Sequence, residues 1–150
     1  MILYLDTCSL QRPLDDRSQV RIRLEAEAVL SVIDLVEAGT IDLLSSDVLT
    51  YETEKNPHPT RTEFVWEVLS SASRHIEYAD GVEKRAQELN QEGIDTLNSM
   101  HLASAEQGDA DVFCTCDDSF LTKAKREVSR ETQVVSPLTL VEDIEGWQSQ

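Results

Sequence analysis

The chain is short of cysteine, proline, glycine and aromatic residues, with 3 Cys, 4 Pro, 5 Gly and 5% Phe, Trp and Tyr among 150 residues. Each shortage excludes something. Cys8, Cys114 and Cys116 are too few, and odd in number, for a disulfide framework, so they read as reduced thiols. Cys114-Thr115-Cys116 is taken as two thiols on opposite faces of a strand, not a metal-binding pair. There is no Gly/Ser linker, no low-complexity tract and no internal repeat, so residues 1–150 are expected to form a single domain. No apolar run approaches the roughly 20 residues that cross a bilayer. Met1-Ile2-Leu3-Tyr4-Leu5 meets Asp6 too soon for a signal peptide, and the expected location is the cytoplasm, away from membranes. Cations are also scarce: 13 Lys and Arg stand against 29 Asp and Glu, a formal charge of −16. Such a surface repels phosphate backbones, so any nucleic-acid role needs a bound cation, a local basic patch or a basic partner.

What is present is an alternation of two hydrophobic periods. Ile2-Leu3-Tyr4-Leu5 has the continuous apolar character of a strand buried on both faces, and Asp6 ends it. From about 18 to 38, Ile22, Ala26, Val29, Ile33 and Val36 form a helical stripe that Gly39 stops. Ile41-Asp42-Leu43-Leu44 reads as a second strand, with Asp47 as the cap of a helix that carries Glu52 toward Asn56-Pro57. Further helices follow from Phe64, Val65, Val68, Leu69 and Ala72, and from Val82, Ala86 and Leu89 before Gly93. Asp95 is placed to cap a helix running to about Gln107, and Val112-Phe113-Cys114 is a strand candidate leading to Asp117. Phe120, Leu121, Ala124 and Val128 mark another helix, Val134-Val135 a last strand, and Pro137 the start of a terminal helix. This order predicts an α/β fold with a mostly parallel central sheet flanked by helices on both faces.

In open parallel sheets ligands bind beyond the carboxyl ends of strands, which singles out Asp6 and Asp117. Two facing carboxylates repel, and a hard cation such as Mg²⁺ or Mn²⁺ relieves that repulsion while accepting oxygen ligands. Near these acids in sequence lie Arg12, Arg17, Arg21 and Arg23, and Lys123, Lys125 and Arg126, which are candidates for guiding a phosphate backbone or for ordinary ion pairs.

Four segments, Ile2-Leu3-Tyr4-Leu5-Asp6-Thr7, Ser46 to Glu52, His101-Leu102-Ala103-Ser104-Ala105 and Thr115-Cys116-Asp117, together resemble the PIN domains, metal-dependent nucleases that include VapC-type toxins. The resemblance runs nearly end to end. It implies Asp6, Glu52 and Asp117 as ligands of Mg²⁺ or Mn²⁺, with Thr7 and Thr115 orienting ligands or water. It also implies RNA as substrate, a homodimer, and a small antitoxin protein as partner. Thr7 and Arg12 are the expected substrate contacts. Glu54 is expected to be solvated, and Asp15 and Asp16 to lie in a solvated loop or cap the long helix. One position departs: Asn98 stands where the family usually has an aspartate, three residues before the histidine matched by His101. Asn98 keeps an oxygen donor but loses a charge, so one strongly held ion is expected rather than two, with Asn98 a neutral ligand or water-orienting group. Asp95, one turn earlier, is read as a cap, and His101 as a packing and hydrogen-bonding residue outside the chemistry.

Two rival readings remain. An aspartate nucleophile at Asp6, as in phosphatases, fits poorly because Cys8 occupies the position of their second aspartate. A PIN fold weakened at Asn98 and serving as a protein- or RNA-binding module is the stronger alternative.

Overall fold

The apolar Ile2–Leu5 run becomes the centre of the sheet. In the computed structural model, which describes residues 1–126 and 131–148, this strand (β1) is joined by β2 (Asp42–Ser46), β3 (Arg74–Ile76), β4 (Val112–Cys114) and β5 (Gln133–Val135). The strands lie in the order β3-β2-β1-β4-β5, and every pairing is parallel. Leu3, Tyr4 and Leu5 are consecutive and all fully buried, which is possible only where helices cover both faces of the sheet.

The connecting segments are α1 (Thr7–Gln11), a 3₁₀ turn at Arg12–Leu14, α2 (Val20–Glu37), α3 (Asp47–Lys55), α4 (Pro59–Leu69), α5 (Asp80–Gln91), α6 (Thr96–Gln107), α7 (Asp118–Ala124) and α8 (Pro137–Gln148). The α2 stripe buries Ala26, Val29, Ile33 and Val36 as its period requires, and the chain leaves the helix through Gly39 at φ +79. Pro59 and Pro137 open α4 and α8, where a missing N–H costs nothing. At the end of α6, Gly108 allows a close approach to the sheet: a Cβ there would meet Leu44 Cδ1 at 2.6 Å and Ile76 Cδ1 at 3.0 Å.

Several boundaries differ from the sequence reading. The long helix begins at Val20, and α4 stops at Leu69, so Ala72 lies in the turn before β3. That third strand, Arg74–Ile76, escapes the sequence because it is a short edge with exposed Arg74 and His75 and no alternation. Ser46, not Asp47, caps α3, its hydroxyl accepting from Leu49 N at 3.1 Å. Asp47 is the first helical residue, and its carboxylate accepts instead from Tyr78 N at 2.8 Å and contacts His75 Nε2 at 2.7 Å. Val128 falls outside the described residues, where α7 ends at Ala124. Among the described residues no helix is long and apolar enough to cross a membrane.

Candidate functional site

The chain runs outward from β1 in both directions: β2 and β3 lie on one side, β4 and β5 on the other. A crevice opens at the carboxyl end of the strand where the order reverses, and Asp6 is the residue that follows this strand. Asp117 sits beyond the neighbouring β4, and Glu52 rides on the helix after β2. Topology therefore gathers three acids distant in sequence. Asp6, Thr7, Arg12, Glu52, Asn98 and Asp117 all line one cleft of about 200 Å³.

Asp6 is both a helix cap and a site residue. Its Oδ1 accepts from Ser9 N at 3.0 Å, capping α1, and from the Cys8 thiol at 3.1 Å. The side chain is buried, at 3% exposure, and no Lys or Arg pairs with it among the described residues. Burial raises its pKa above the ordinary aspartate value, opposed by hydrogen bonds from Thr115, Cys8 and Ser9. A buried carboxylate without a cation is destabilising, so the site stores electrostatic strain at this residue.

Glu52 is held differently. Thr7 Oγ1 donates to its Oε1 at 2.6 Å, and His101 Nε2 hydrogen-bonds the same oxygen. Burial raises the Glu52 pKa, but the contacts with His101 and Thr7 outweigh it and leave the group below the usual glutamate value. Behind His101 lies a buried polar chain: Nδ1 to Tyr4 Oη at 2.6 Å, and Tyr4 Oη to Ser46 Oγ at 2.7 Å. Glu54, two positions on, is exposed as expected.

On the opposite wall, Asp117 caps α7 by accepting from Phe120 N at 3.1 Å, and its own N–H donates to Thr115 Oγ1 at 3.1 Å. Thr115 is buried behind the cleft and shapes this turn from within. Asp95 caps α6 through Asn98 N at 3.0 Å, which is the role read from sequence. The Asn98 amide nitrogen donates to Asp95 Oδ2 at 3.2 Å and to Asp117 Oδ2 at 3.4 Å. An aspartate could not make those bonds, so Asn98 joins two carboxylates that would otherwise repel. Among the described residues, no three His, Cys, Asp or Glu side chains stand close enough together to enclose a metal ion. Glu52 is drawn to His101 and Thr7, and Asp117 to Asn98.

The cleft mouth holds features that the sequence reading missed. Cys8 and Cys116 both line it, and Ser9 Oγ lies 3.7 Å from the sulfurs of Cys114 and of Cys116. Those two thiols therefore share one side, as residues two apart on extended backbone must, and the expectation of opposite faces is corrected. Contact with Cys116, burial and the Asp6 carboxylate push the Cys8 thiol up, keeping it protonated. Glu25, at 1% exposure, lies between Arg12 Nε at 3.3 Å and Arg21 Nε at 3.7 Å. Its signal was present: an acid inside the apolar stripe of α2, three residues after Ile22. Asp15 is not simply solvated but binds Arg12 at 2.9 Å and Arg61 at 2.9 Å, whereas Asp16 accepts from Ser18 N in an exposed turn. Of the other expected basic groups, Arg17 pairs with Glu27 at 2.8 Å and Arg21 reaches Asp118 at 2.7 Å. Arg23, Lys125 and Arg126 are exposed, and Lys123 is half-buried.

The PIN domain profile matches residues 3–142, and the chain belongs to the PIN domain family. Among solved structures it is similar to the crystal structure of FitAcB from Neisseria gonorrhoeae, at 18% identity over 92% of this chain and 99% of that one, with a TM-score of 0.58. It is also similar to VapBC2 from Rickettsia felis bound to a DNA fragment from their promoter, at 16% identity over 91% of this chain and 98% of that one, with a TM-score of 0.60. At such identities the likeness is one of fold. No curated protein matches the sequence.

Proposed function

We propose that this chain is a divalent-metal-dependent endoribonuclease of PIN type and the toxin of a toxin–antitoxin pair. The observation that carries the reading is Asp6, a buried carboxylate with no Lys or Arg partner among the described residues, at the topological switch point and in one cleft with Glu52, Asn98 and Asp117. The oxygens of Asp6, Glu52, Asn98 and Asp117 suit a hard ion such as Mg²⁺ or Mn²⁺. Asp6, Glu52 and Asp117 would hold the ion. Asn98 adds its carbonyl oxygen as a neutral donor, because its amide nitrogen already serves Asp95 and Asp117. A bound ion supplies charge neutralisation at the phosphate and hydroxide near neutral pH.

The chain's own groups do the rest. Thr7 and His101 set the direction of Glu52, and Thr115 fixes the turn that presents Asp117. Arg12 stands at the cleft with its guanidinium shared between Asp15 and Glu25, so a phosphate that binds there competes with Asp15. A surface of net charge −16 gains RNA affinity only through such local groups and the ion. FitAcB and VapBC2 are two-component assemblies by name, which supports a protein partner for this chain; a homodimer of the chain is proposed on the family resemblance alone.

A second reading has its own observation: the Asn98 amide already neutralises the repulsion between Asp95 and Asp117, a task otherwise left to an ion. In that reading the domain is a weakened nuclease that binds RNA or protein. Cleavage of a mixed structured-RNA pool, with Mn²⁺ or with EDTA, by the natural chain, Asp6→Ala and Asn98→Asp separates the two. Cutting that requires metal and Asp6 supports the nuclease. Activity restricted to Asn98→Asp supports the binding module, and no cutting by any variant removes the ribonuclease reading for these substrates.

A further inference from the structure

We propose that Tyr4 and His101 are positioning residues for Glu52, in a buried relay whose protons all point toward the carboxylate and hold His101 as the neutral Nε2–H tautomer. The relay leaves α3 at its cap and returns to the same helix: Leu49 N to Ser46 Oγ at 3.1 Å, Ser46 to Tyr4 Oη at 2.7 Å, Tyr4 to His101 Nδ1 at 2.6 Å, and His101 Nε2 to Glu52 Oε1. Its two ends decide its direction. A backbone N–H can only donate, and an ionised carboxylate can only accept.

Nε2 must therefore carry a proton, since its lone pair would otherwise face Oε1. Two arrangements satisfy that demand. In the imidazolium form, Nδ1 donates to Tyr4, Tyr4 donates to Ser46, and Ser46 Oγ accepts from both Leu49 and Tyr4. The Ser46 proton then has no acceptor, because this side chain is fully buried and has no further hydrogen-bond partner among the described residues. In the neutral form, Leu49 donates to Ser46, Ser46 to Tyr4, Tyr4 to Nδ1, and Nε2 to Glu52. Every hydrogen finds an acceptor, which is the rule for buried polar groups.

The surroundings keep the relay in place. The Tyr4 ring stacks on Phe113, with centroids 5.0 Å apart at 15°, and meets the His101 ring edge-on at 5.7 Å and 69°. Tyr4 is fully buried and His101 is 2% exposed, so water does not compete for these bonds. Thr7 and His101 both end on Oε1, which leaves Glu52 Oε2 without a protein donor among the described residues. That this spare oxygen serves an ion rests on the metal reading above; the direction of the protons does not.

The test is the ¹⁵N spectrum of the His101 ring in the full chain near neutral pH, joined to Mn²⁺ binding by the same protein. Wild type is expected to show a protonated Nε2 and an unprotonated Nδ1. Tyr4→Phe removes one oxygen without changing ring shape, and is expected to disturb the Nδ1 resonance and weaken Mn²⁺ binding roughly 10-fold, as loss of a group behind a ligand does. His101→Gln, which keeps both a donor and an acceptor, is expected to bind Mn²⁺ more tightly than His101→Leu. An imidazolium or an Nδ1–H tautomer in wild type overturns the relay, and unchanged Mn²⁺ affinity in Tyr4→Phe overturns the positioning role. Wild type with the expected tautomer but no Mn²⁺ uptake supports the relay and rejects the metal reading instead.

Discussion

On the Glu52 side of the cleft the carboxylate is gripped by Thr7 and by a histidine backed by two more buried side chains, whereas on the Asp117 side the lateral restraint is the Asn98 amide at 3.4 Å. Asp6 lies between them, more buried than either and, among the described residues, without a Lys or Arg partner. One wall is thus pre-formed by the core and the other depends on surface electrostatics. A buried polar network rigidifies when every member is satisfied, while half-exposed carboxylates answer to charge, salt and ligands. The difference teaches that one cleft can hold a carboxylate fixed by core hydrogen bonds on one wall and a carboxylate restrained by a single lateral amide on the other.

The largest expected effect lies at the middle of this comparison. If the chain is the metal-dependent ribonuclease proposed above, Asp6→Ala should lower its RNA cleavage about 1000-fold, through loss of several kcal/mol of charge stabilisation. The same site should show the reverse sign in stability. Because the folded-state pKa of Asp6 is raised, its contribution to stability is full below the ordinary value of 3.8 and is lost as pH rises through the folded value. Glu52 runs the other way: its lowered pKa contributes stability above the ordinary 4.5, lost as pH falls through the folded value. Thermal unfolding in EDTA should therefore find Asp6→Asn stabilising relative to wild type at about pH 7 and less so at about pH 4. A stabilisation independent of pH would show that Asp6 is not a strained acid.

Ser46→Ala tests the rigid wall. It deletes the α3 cap and removes one of the two hydrogen-bond partners of the buried Tyr4 hydroxyl, leaving His101 as the other, so a loss of about 2 kcal/mol in denaturant unfolding is expected. A loss below about 0.5 kcal/mol, the size of an ordinary surface change, would place the relay outside the energetics of the fold. Asn98→Asp tests the yielding wall: it turns two hydrogen bonds into like-charge contacts with Asp95 and Asp117, and should cost about 1 kcal/mol in EDTA. Mn²⁺ should recover that loss, seen as a larger metal-induced rise in Tm than wild type shows. Smallest of all, Glu54→Ala on the exposed face of α3 should change stability by less than about 0.5 kcal/mol and leave cleavage unaltered.

Much of this protein was legible in one dimension. The hydrophobic periods located every strand but β3, whose exposed Arg74 and His75 give an edge strand no apolar signature. Asp6 and Asp117 stood out because each follows an apolar run, and Asp95 because a cap has a fixed offset from its helix. The Glu25 ion cluster was less visible: its acid breaks the α2 stripe, but its partners, Arg12 and Arg21, are recognisable only from their distances. Asn98 was recognised as an oddity from its family position, yet its two carboxylate contacts depend on where Asp117 comes to rest, 19 residues away.

Local periodicity, caps and strand-end acids are written in neighbouring residues, so the sequence alone determined the α/β class, the order of most elements and the two acids, Asp6 and Asp117, that follow strands. Hydrogen-bond partners across the core are not neighbours. Tyr4 meets His101 across 97 residues, and His101 meets Glu52 across 49. Whether a carboxylate was held by a histidine, joined to an amide or buried with no Lys or Arg partner among the described residues was decided only when parallel pairing brought β1, β2 and β4 side by side, because burial and hydrogen-bond geometry are properties of the packed chain.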